Sequence, residues 1–495
     1  MQWWQSVPGA IARGDVPDVA DLTHDSRLAS PATAFAAVPG RRFDGHAFLQ
    51  QAIDAGAPTC VVEAPSEHLW APFVGRVPIV VVPDVRASLG HLAAAVHANP
   101  SATLRTIGVT GTDGKTTTAH LIGHVLDNCG LGAGYLSSVG FDAGDGFEPN
   151  ATHMTTVEAT TIQSMLAAAL RNGCESMVVE ASSEGLAQGR LHGCLPDVAV
   201  FTNLSRDHLD FHGTMDRYRE AKGFLFQMLD LPSGKSFPRA AVVNADDPAS
   251  GYMTALASVP GVTYGLDAEA DYRALDIETE AFGLRFDVRA GPATRPARVP
   301  LIGRFNAYNC LAAIATACSQ GVRLDVAVDA MAGFPGVPGR LERIEAGQPF
   351  AVFVDIASTP VAMENVLNAL RPATTGRLWV LFGAAGGRDP ARRDGLGRVA
   401  GRLADRCILT NEDPRDEDPG TIIEAIAGAL LGTGRREGTD FVRVPDRKDA
   451  IRYAFEHATA GDTVLLAGKA TETTMVLASG SVPWDERAVA RELLM

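Results

Sequence analysis

Ten short apolar runs alternate with Ala- and Leu-rich stretches along almost the whole chain. Runs that are apolar throughout are typical of strands buried on both faces of a parallel sheet, and the stretches between them suit crossover helices. The pattern therefore predicts an α/β fold with largely parallel sheets. The runs are CVVEA, IVVVPD, TIGVTG, SMVVEAS, VAVFTNLS, AAVVNAD, FAVFVDIA, LWVLFG, RCILTNED and TVLLAGK.

The chain of 495 residues is long enough for several domains. One boundary is predicted near His97–Ser101, just before a strand that enters a glycine loop, and another at Gly333–Gly339, where glycines and prolines interrupt regular structure. We expect three domains, at residues 1–100, 101–335 and 336–495. Between Tyr264 and Val299 apolar and polar residues alternate, which predicts antiparallel hairpin strands attached to the middle domain.

The charge balance narrows the classes of partner. Lys+Arg 43 against Asp+Glu 58 gives a formal net charge of −15, which argues against nucleic acid. No apolar run approaches the ~18 residues of a membrane span, and the N-terminus lacks the pattern of a signal peptide. We therefore expect a soluble cytoplasmic protein with no membrane partner. The seven cysteines form no C-x-x-C pair, so we expect buried reduced thiols.

The strongest local motif is Thr106–Thr118, TIGVTGTDGKTTT, in which a buried strand enters a glycine loop and then a helix. Gly111 and Gly114 let backbone N–H groups converge on phosphate oxygens, and the helix N-terminus adds partial positive charge. Lys115 can reach the terminal phosphates, and the hydroxyl of Thr116 can bind Mg²⁺. The motif therefore predicts a nucleotide phosphate site.

The spacing of this motif departs from G-x-x-x-x-G-K-[ST], because Val109 stands where the first glycine belongs. An ordinary glycine-rich turn is the alternative interpretation. The G-K-[ST] sequence at a strand-to-helix junction favours phosphate binding over that alternative, and the failed spacing argues against a P-loop kinase or ATPase motor.

Acidic and imidazole side chains follow two later strands. Glu180 ends the run MVVE, and NLSRDHLDFH, which contains His208, follows VAVF. Ligands of open parallel sheets bind at the carboxyl ends of the strands, so these groups are expected to face the phosphate loop. Glu180 and His208 are candidate magnesium ligands, although an imidazole is an unusual ligand for this ion.

His208 and His212 also have the i, i+4 spacing of a helical zinc pair. Leu209 stands where a zinc protease has its glutamate, which disfavours that interpretation. We expect Asp210 and His212 to face solvent or to support a ligand rather than to bind one.

A helix is predicted over YREAKGFLF, in which Tyr218, Lys222 and Leu225 or Phe226 lie on adjoining turns. Taken alone, this pattern predicts that Lys222 is a surface lysine with its stem on apolar neighbours, because buried functional lysines are rare.

Six motifs in this order and spacing resemble the Mur ligase family: GTDGKTT, NLSRDHLDFHG, YREAKGFLF, NADD, GRFNAYN and VPGRLERI. Within the family the chain is most similar to members that attach the third amino acid of the peptidoglycan stem. The similarity runs from Asp25–Arg27 to Trp484–Arg491. It implies a uridine-nucleotide-binding domain, a central ATPase-like domain with a parallel sheet and a C-terminal Rossmann-like domain that binds the amino acid.

The resemblance also implies a set of binding residues, with each assignment resting on a matched motif position. The uridine-linked substrate is assigned to Ser26, Arg27, Arg41, His46, Thr155, Thr156, Ser182, Ser183 and Arg190. ATP is assigned to Gly111, Thr112, Asp113, Gly114, Lys115, Thr116, Thr117, Asn306, Asn309, Arg340 and Asp355. The amino acid is assigned to Arg388, Asp413, Pro414, Arg415, Gly468 and Glu472.

The implied reaction activates a carboxylate with the γ-phosphate of ATP, after which an amine attacks the acyl phosphate and expels phosphate. Thr116, Glu180, His208 and Lys222 would hold Mg²⁺, with Lys222 carbamylated as in the family, and Lys115, Lys222 and His208 are the implied catalytic residues. We expect a monomer that binds ATP, a UDP-muramoyl dipeptide and an amino acid.

The resemblance implies meso-diaminopimelate as the amine, because family members that add it bind its distal carboxylate with the arginine that Arg415 matches and its distal ammonium with the glutamate that Glu472 matches. Lysine has no distal carboxylate, so a retained Arg415 would have nothing to bind in it. Asp413 stands where the family has asparagine and is expected to add a repelling charge beside that carboxylate.

The chain departs from the family at several positions around the expected cleft. It has VDIASTP at Val354–Pro360 for V-D-Y-A-H-T-P, Glu184 for a histidine, GKATE for G-K-G-H-E and EDPR for D-N-P-R. Lineage drift with function kept is one explanation. The alternatives are a ligase repurposed for another acid and amine outside wall synthesis, or a nucleotide-binding homologue that no longer ligates.

Overall fold

The computed structural model describes residues 2–40, 43–152, 154–280, 283–388 and 390–495, and for Asp210 the backbone alone. These residues form two compact units, one of Met1–Arg273 with Asn309–Ala330 and the other of Ala274–Tyr308 with Met331–Met495. Among the described residues no helix is long and apolar enough to cross a membrane. All ten predicted strands are present, and the α/β class is confirmed. The bounds of the three predicted domains stay a prediction.

The chain begins with a five-stranded sheet whose alternate residues pack into two separate cores. Its strands are β1 (Ile11–Arg13), β2 (Asp21–Thr23), β3 (Thr33–Ala36), β4 (Cys60–Glu63) and β5 (Ile79–Val82), and its helices are α1 (Leu49–Asp54), α2 (Glu67–Trp70) and α3 (Val85–Val96). The strand order is β1-β5-β4-β3-β2, with only β1 antiparallel to its neighbour. Val61 and Val80 enter one core, and Cys60 and Ile79 enter the other.

The larger sheet of the first unit carries the phosphate motif on a central strand. Its strands are β6 (Arg105–Thr110), β7 (Ala133–Leu136), β8 (Gly140–Asp142), β9 (Phe147–Pro149), β10 (Ser176–Glu180), β11 (Val198–Phe201), β12 (Ala240–Asn244) and β13 (Gly261–Gly265). Their order is β13-β12-β11-β6-β10-β7-β8-β9, with parallel pairing from β13 to β7. The helices are α4 (Lys115–Asn128), α5 (Ala159–Arg171), α6 (Ser183–Ala187), α7 (Leu209–His212), α8 (Met215–Gln227) and α9 (Ser250–Ala255).

The segment predicted to form hairpin strands contains β14 (Tyr272–Glu280), β15 (Gly283–Ala290) and β16 (Ala293–Val299). β15 and β16 pair antiparallel along their length, as expected, whereas β14 begins parallel to β13 through Tyr264 and Tyr272. The chain continues through α10 (Phe305–Ser319) and α11 (Leu324–Ala330).

The second unit holds a six-stranded sheet in the order β17-β18-β22-β19-β20-β21, with only β17 antiparallel. Its strands are β17 (Glu342–Ile344), β18 (Ala351–Asp355), β19 (Leu378–Phe382), β20 (Arg406–Leu409), β21 (Phe441–Arg443) and β22 (Thr463–Ala467), and β23 (Thr474–Leu477) and β24 (Gly480–Pro483) form a separate hairpin. Its helices are α12 (Pro360–Leu370), α13 (Ala391–Leu403), α14 (Pro419–Gly432), α15 (Arg447–His457) and α16 (Glu486–Leu494).

Short 3₁₀ segments connect these elements at Trp3–Ser6, Ser26–Leu28, Gly45–Phe48, Ala64–Ser66, Ala71–Phe73, Pro100–Ala102, Met228–Asp230, Met331–Gly333 and Arg371–Ala373.

In the second unit, alternate strand residues again face two separate cores. Phe353 and Leu465 face one, and Val354 and Leu466 face the other. Burial on both faces explains why the sequence runs are apolar throughout.

A fully buried ion pair fixes α16 to this sheet. The guanidinium of Arg447 donates to both oxygens of Glu486, and neither side chain is exposed to solvent. Arg447 also donates to the carbonyls of Asn411 and Ala467, and Trp484 donates to Glu486. A buried charge without its partner is costly, so this pair is required for the C-terminal end of the fold.

We expect Glu486→Gln to lower the free energy of unfolding by about 3 kcal/mol, because it leaves the Arg447 charge buried and unpaired. The matched control is Glu492→Gln on the same helix, which breaks an exposed pair with Lys448 and should cost less than about 1 kcal/mol. Urea unfolding of both variants measures the difference, and equal losses would contradict the assignment.

Candidate active site

The carboxyl ends of three parallel strands meet beside the phosphate loop. β10, β6 and β11 are direct neighbours, with Glu180 opposite Val109 and Phe201 opposite Thr110. The prediction that Glu180 and the segment after VAVF share one edge with the glycine loop is therefore confirmed.

The two loop glycines are required by close backbone approach. Gly111 has φ +150°, and a Cβ atom there would lie 1.8 Å from the hydroxyl of Thr202. Gly114 has φ +82°, and its Cβ would lie 2.5 Å from Oδ1 of Asn309. A side chain at either position would push the loop away from the sheet edge.

The loop after β11 holds the phosphate loop in place. The N–H of Thr112 donates to the carbonyl of Asn203 at 2.8 Å, and the N–H of Asp113 donates to its side-chain Oδ1 at 3.0 Å. Thr202 donates its hydroxyl to the carbonyl of Asp113 at 2.6 Å. Lys115 opens α4 and donates to the carbonyl of Thr112 at 2.7 Å. Thr117 is half-buried on the same turn.

A buried oxygen cluster lies at the start of α4. The hydroxyl of Thr116 lies 3.1 and 3.2 Å from the two oxygens of Glu180, a residue that is only 2 % exposed. Ser138 donates to the same carboxylate from its N–H at 2.8 Å and its hydroxyl at 2.9 Å. The carboxylate is thus pre-oriented beside the first turn of the helix.

Five of the residues assigned to the uridine-linked substrate lie on the segments next to Glu180. The hydroxyl of Thr156 donates to the carbonyl of Glu180 at 2.8 Å, accepts from the N–H of Ser182 at 2.8 Å and lies 3.0 Å from the Ser182 hydroxyl. Arg190 donates to the carbonyl of Thr156 at 2.7 Å. Ser183 opens α6, and Thr155 is half-buried beside Thr156.

Arg190 also belongs to a charge cluster that joins the first and larger sheets of this unit. Glu158 lies 3.2 Å from Arg190 and 3.4 Å from Arg86 of α3. Burial lowers the pKa of the nearby His24, and Glu158 opposes that shift. The cluster fixes the guanidinium of Arg190 at the edge of the assigned substrate segment.

Lys222 is buried, contrary to the surface position that its helical pattern alone predicts. It is 1 % exposed, donates to the carbonyl of Gly111 at 2.5 Å and lies 4.4 Å from the ring centroid of Tyr218. Burial holds the pKa of Lys222 well below its usual value, and the charge of Lys115 lowers it further. Tyr218 in turn lies 3.1 Å from the hydroxyl of Thr112.

The two histidines of the following loop have different surroundings. His208 has φ +50°, its side chain is about half exposed at 52 %, and its ring lies 3.4 Å from Asp207. His212 is buried and lies 3.0 Å from the hydroxyl of Ser183, so of the two positions expected for it the solvent-facing one is wrong, and a supporting role stays a prediction. The side chain of Asp210 lies outside the described residues. Among those residues, no cluster of three His, Cys, Asp or Glu side chains suits a metal.

The N-terminal residues assigned to the nucleotide are only partly available to a ligand. Arg27 is exposed and paired with Asp25, and the hydroxyl of Ser26 donates to Gln51 at 3.0 Å. The side chain of His46 is fully buried, with its ring nitrogens bonded to Asp44 and to the N–H of Glu63. No ring nitrogen of His46 is left for a nucleotide, because both stabilise the loop itself. Arg41 lies outside the described residues.

Residues assigned to ATP beyond the phosphate loop lie on α10 and near β18. Asn306 donates to the carbonyl of Ile302 at 2.8 Å, and Asn309 accepts from Thr118 of α4 at 3.1 Å. Asp355 ends β18 and accepts from the N–H of Leu341, which follows Arg340, at 2.7 Å. Burial raises the pKa of Asp355, and Arg340 opposes that shift.

In the second unit, the loops assigned to the amino acid follow adjacent strands of the six-stranded sheet. The N–H of Gly386 donates to the carbonyl of Asp413 at 2.8 Å, and a Cβ on Gly386 would lie 2.0 Å from the carbonyl oxygen of Pro414. A Cβ on Gly387 would lie 3.9 Å from the guanidinium of Arg415. Arg388, the next residue, is exposed. The two predicted arginines therefore lie on loops in direct contact.

The segment after β22 lies against the same loop. Gly468 has φ +107°, and a Cβ there would lie 2.8 Å from the carboxyl of Glu412. Burial raises the pKa of Glu412 to about 7. Glu472 accepts from Lys469, which also binds Asp413. Lys469 is absent from the predicted site, although it lies within the motif that contains Gly468 and Glu472.

Ser138, Thr202, Asn203 and Tyr218 were also omitted from the predicted site. Ser138 follows β7, and Thr202 and Asn203 follow β11, so the same strand-end argument applies to them. Two of the positions at which this chain departs from the family are hydrogen-bonded within the protein. The carbonyl of Ser358 accepts from Arg392 at 2.6 Å, and the carboxylate of Glu184 accepts from Gln188 at 2.8 Å.

Three known protein domains match consecutive parts of this chain. They are described as Mur ligase family, catalytic domain, at residues 18–97, Mur ligase middle domain, at residues 109–317, and Mur ligase, glutamate ligase domain, at residues 339–470. The three matches follow one another along the chain and together contain most of the site residues described above.

Curated relatives match over nearly the full length. A UDP-N-acetylmuramyl-tripeptide synthetase of Roseiflexus sp. (strain RS-1) is 43% identical over 97% of this chain and 95% of its own. A UDP-N-acetylmuramoyl-L-alanyl-D-glutamate--2,6-diaminopimelate ligase of Geobacillus thermodenitrificans (strain NG80-2) is 40% identical over 97% and 96%. A solved structure of a ligase with that second name is 31% identical, with a TM-score of 0.69, and covers 100% of this chain and 98% of that chain.

The chain therefore belongs to the Mur ligase family. It is an ATP-dependent, ADP-forming acid–amino-acid ligase.

We expect Lys115→Ala to reduce ATP-dependent ligation by ~10²–10³-fold or more, because it removes the positive charge at the phosphate loop where negative charge shifts during transfer. Phosphate release measures the loss, with exposed Lys448→Ala as the matched control. Turnover near that of the control would rule out Lys115 as the phosphate-binding lysine.

Proposed function

We propose that this ligase adds meso-diaminopimelate to UDP-N-acetylmuramoyl-L-Ala-D-Glu in peptidoglycan synthesis. The observation that carries the proposal is the double contact of Glu180. Its carboxylate binds Thr116 of the phosphate-loop helix, and its backbone carbonyl binds Thr156 of the assigned substrate segment. A phosphate donor and an acid substrate would thus meet at one residue.

The reaction requires activation of a carboxylate, which is a poor electrophile. Transfer of the γ-phosphate of ATP to the carboxylate gives an acyl phosphate, and attack by the amine nitrogen forms the amide and releases phosphate. Backbone N–H groups of Gly114–Thr116 would bind the phosphates, since those of Thr112 and Asp113 donate to Asn203, and Lys115 would stabilise the charge that moves toward ADP. Arg190, fixed by Glu158, would orient the acid substrate.

The oxygen donors near the phosphate loop fit Mg²⁺. Thr116 supplies a hydroxyl and Glu180 a buried carboxylate, which are ligand types that Mg²⁺ prefers. The exposed imidazole of His208 would be a further ligand. When bound, Mg²⁺ neutralises charge on the phosphates and on the acceptor carboxylate.

Lys222 can be a ligand of Mg²⁺ only after modification, because an ammonium group is a hydrogen-bond donor and cannot bind a cation. Burial lowers the pKa of Lys222, which increases the fraction of neutral amine that can add to CO₂ and lose a proton to form a carbamate. The carbamate would present anionic oxygens next to Gly111, to which Lys222 already donates.

The remaining parts of the proposal concern partners and location. We infer a cytoplasmic monomer that acts on small molecules, namely ATP, the UDP-muramoyl dipeptide and an amino acid, with neither a membrane nor nucleic acid as partner. The net charge of −15 supports the last point, because a polyanion would be repelled.

The deciding experiment is phosphate release from ATP with UDP-muramoyl-dipeptide, screened across meso-diaminopimelate, lysine and ornithine. Release that requires the dipeptide and meso-diaminopimelate together supports the proposal. Release that requires lysine or ornithine instead shows that the enzyme adds that amino acid and not meso-diaminopimelate. Silence with all three amines contradicts the proposal and favours the repurposed ligase, and ATP binding without any release favours a homologue that no longer ligates.

We expect Lys222→Ala to be almost inactive and to recover partly when short carboxylates such as acetate are added, because a free carboxylate can replace a carbamate as a metal ligand. Lys115→Ala is the matched control, since a carboxylate cannot replace a cation and should not rescue it. Full activity of Lys222→Ala without additive would show that the modified lysine is not required.

We expect wild type to prefer meso-diaminopimelate over lysine and Arg415→Ala to lose that preference, since Arg415 would bind the distal carboxylate that lysine lacks. A competition assay with both amines measures the ratio of products. The prediction fails if lysine is preferred by wild type, or if the ratio is the same in the variant.

A further inference from the structure

Lys469 is buried in the centre of the assigned amino-acid site, where its ammonium group binds three partners. Its side chain is 0% exposed, and it donates to Oδ1 of Asp413 at 2.8 Å, to the carbonyl of Thr474 at 2.7 Å and to the carboxylate of Glu472. An ammonium group has three donors, so all of them are used within the protein. Lys469 therefore does not have a donor left for substrate in this arrangement.

The partners of Lys469 belong to two different segments. Asp413 lies on the loop after β20, whereas Glu472 and Thr474 follow β22. The same oxygen of Asp413 accepts from the N–H of Val476 at 2.8 Å, and the N–H of Arg415 donates to the carbonyl of Val476 at 3.0 Å. The loop that carries Arg415 is thus bound to strand β23 on both sides of Pro414, with Lys469 joining the two segments.

Backbone conformation shows that this arrangement is held against strain. Arg415 has φ +55° and Ala470 has φ +43°, a region that non-glycine residues rarely adopt. Ala470 is 1% exposed, and the N–H of Glu472 donates to the carbonyl of Lys469 at 2.8 Å across this turn. Strained residues persist where surrounding contacts fix them, and the three bonds of Lys469 are contacts of that kind.

The charges explain why Asp413 is tolerated in place of the family's asparagine. A carboxylate at this position is directly bonded to a buried ammonium, so its charge is balanced within the protein and does not face a substrate carboxylate unopposed. This ion pair weakens the repulsion that is expected between Asp413 and the distal carboxylate, and the repulsion itself stays a prediction. Lys469 is also shared with Glu472, which leaves that carboxylate only partly neutralised and able to attract a distal ammonium.

We propose that Lys469 is a positioning residue of the amino-acid site, which sets Arg415 and Glu472 for the amine by joining the loop after β20 to the segment after β22. The proposal rests on the proposed function and deepens it. Arg415 and Glu472 touch the two ends of a zwitterionic side-chain terminus, and Lys469 fixes the distance between them without touching substrate itself.

The test compares the kinetics of Lys469→Met with those of wild type, using the amine that the ligation screen identifies. The KM for that amine should rise by about tenfold or more, because misplacement of binding groups by about 1 Å weakens productive binding strongly, while the KM for ATP stays within about twofold. The matched control is Lys448→Met, an exposed lysine of the same unit, which should change neither constant.

Two further variants keep the result interpretable. Asp413→Asn/Lys469→Met removes one of the carboxylates left without a counter-ion and should recover part of the lost amine affinity. Lys469→Arg keeps the charge but changes the geometry, so it should still raise the KM for the amine while the KM for ATP stays within about twofold. An unchanged KM for the amine in Lys469→Met overturns the proposal, and so does an equal rise in both KM values. Wild-type ligation tests the proposed function separately from these comparisons.

Discussion

The buried carboxylate of Glu180 is the contact on which the first unit's site depends. It accepts from Thr116 at the start of α4 and from both donors of Ser138 after β7, and its backbone carbonyl accepts from Thr156. A carboxylate that is removed from water is stable only when its oxygens are bonded. The same bonds therefore satisfy the buried charge and fix the phosphate-loop helix beside the assigned substrate segment.

The sequence was sufficient for the fold because the strands are buried on both faces. Such strands are apolar throughout, and each of the ten predicted runs is a strand. The position of Glu180 beside the phosphate loop was also predictable, since parallel strands of one sheet end at the same edge.

The sequence was insufficient where a side chain is used by a distant segment. The helical pattern around Lys222 predicts a surface position, but its partner is the carbonyl of Gly111, 111 residues earlier. The ring nitrogens of His46 are hydrogen-bonded to Asp44 and to the N–H of Glu63. The imidazole therefore stabilises its own loop, although the sequence motif assigned it to nucleotide binding. Periodicity describes one element at a time and carries no information on such contacts.

Each unit contains a buried lysine, and the two lysines have neighbours of opposite charge. In the first, Lys222 is buried beside another cation, Lys115, and donates to the backbone carbonyl of Gly111, and its pKa is lowered by burial and by that charge. In the second, Lys469 is buried between Asp413 and Glu472, and its charge is balanced by these two carboxylates. A neutral amine is a nucleophile that can be modified, whereas a paired ammonium is a rigid three-way donor. Burial alone therefore does not define what a lysine does here, because the charge of its neighbours decides whether it is suited to chemistry or to positioning.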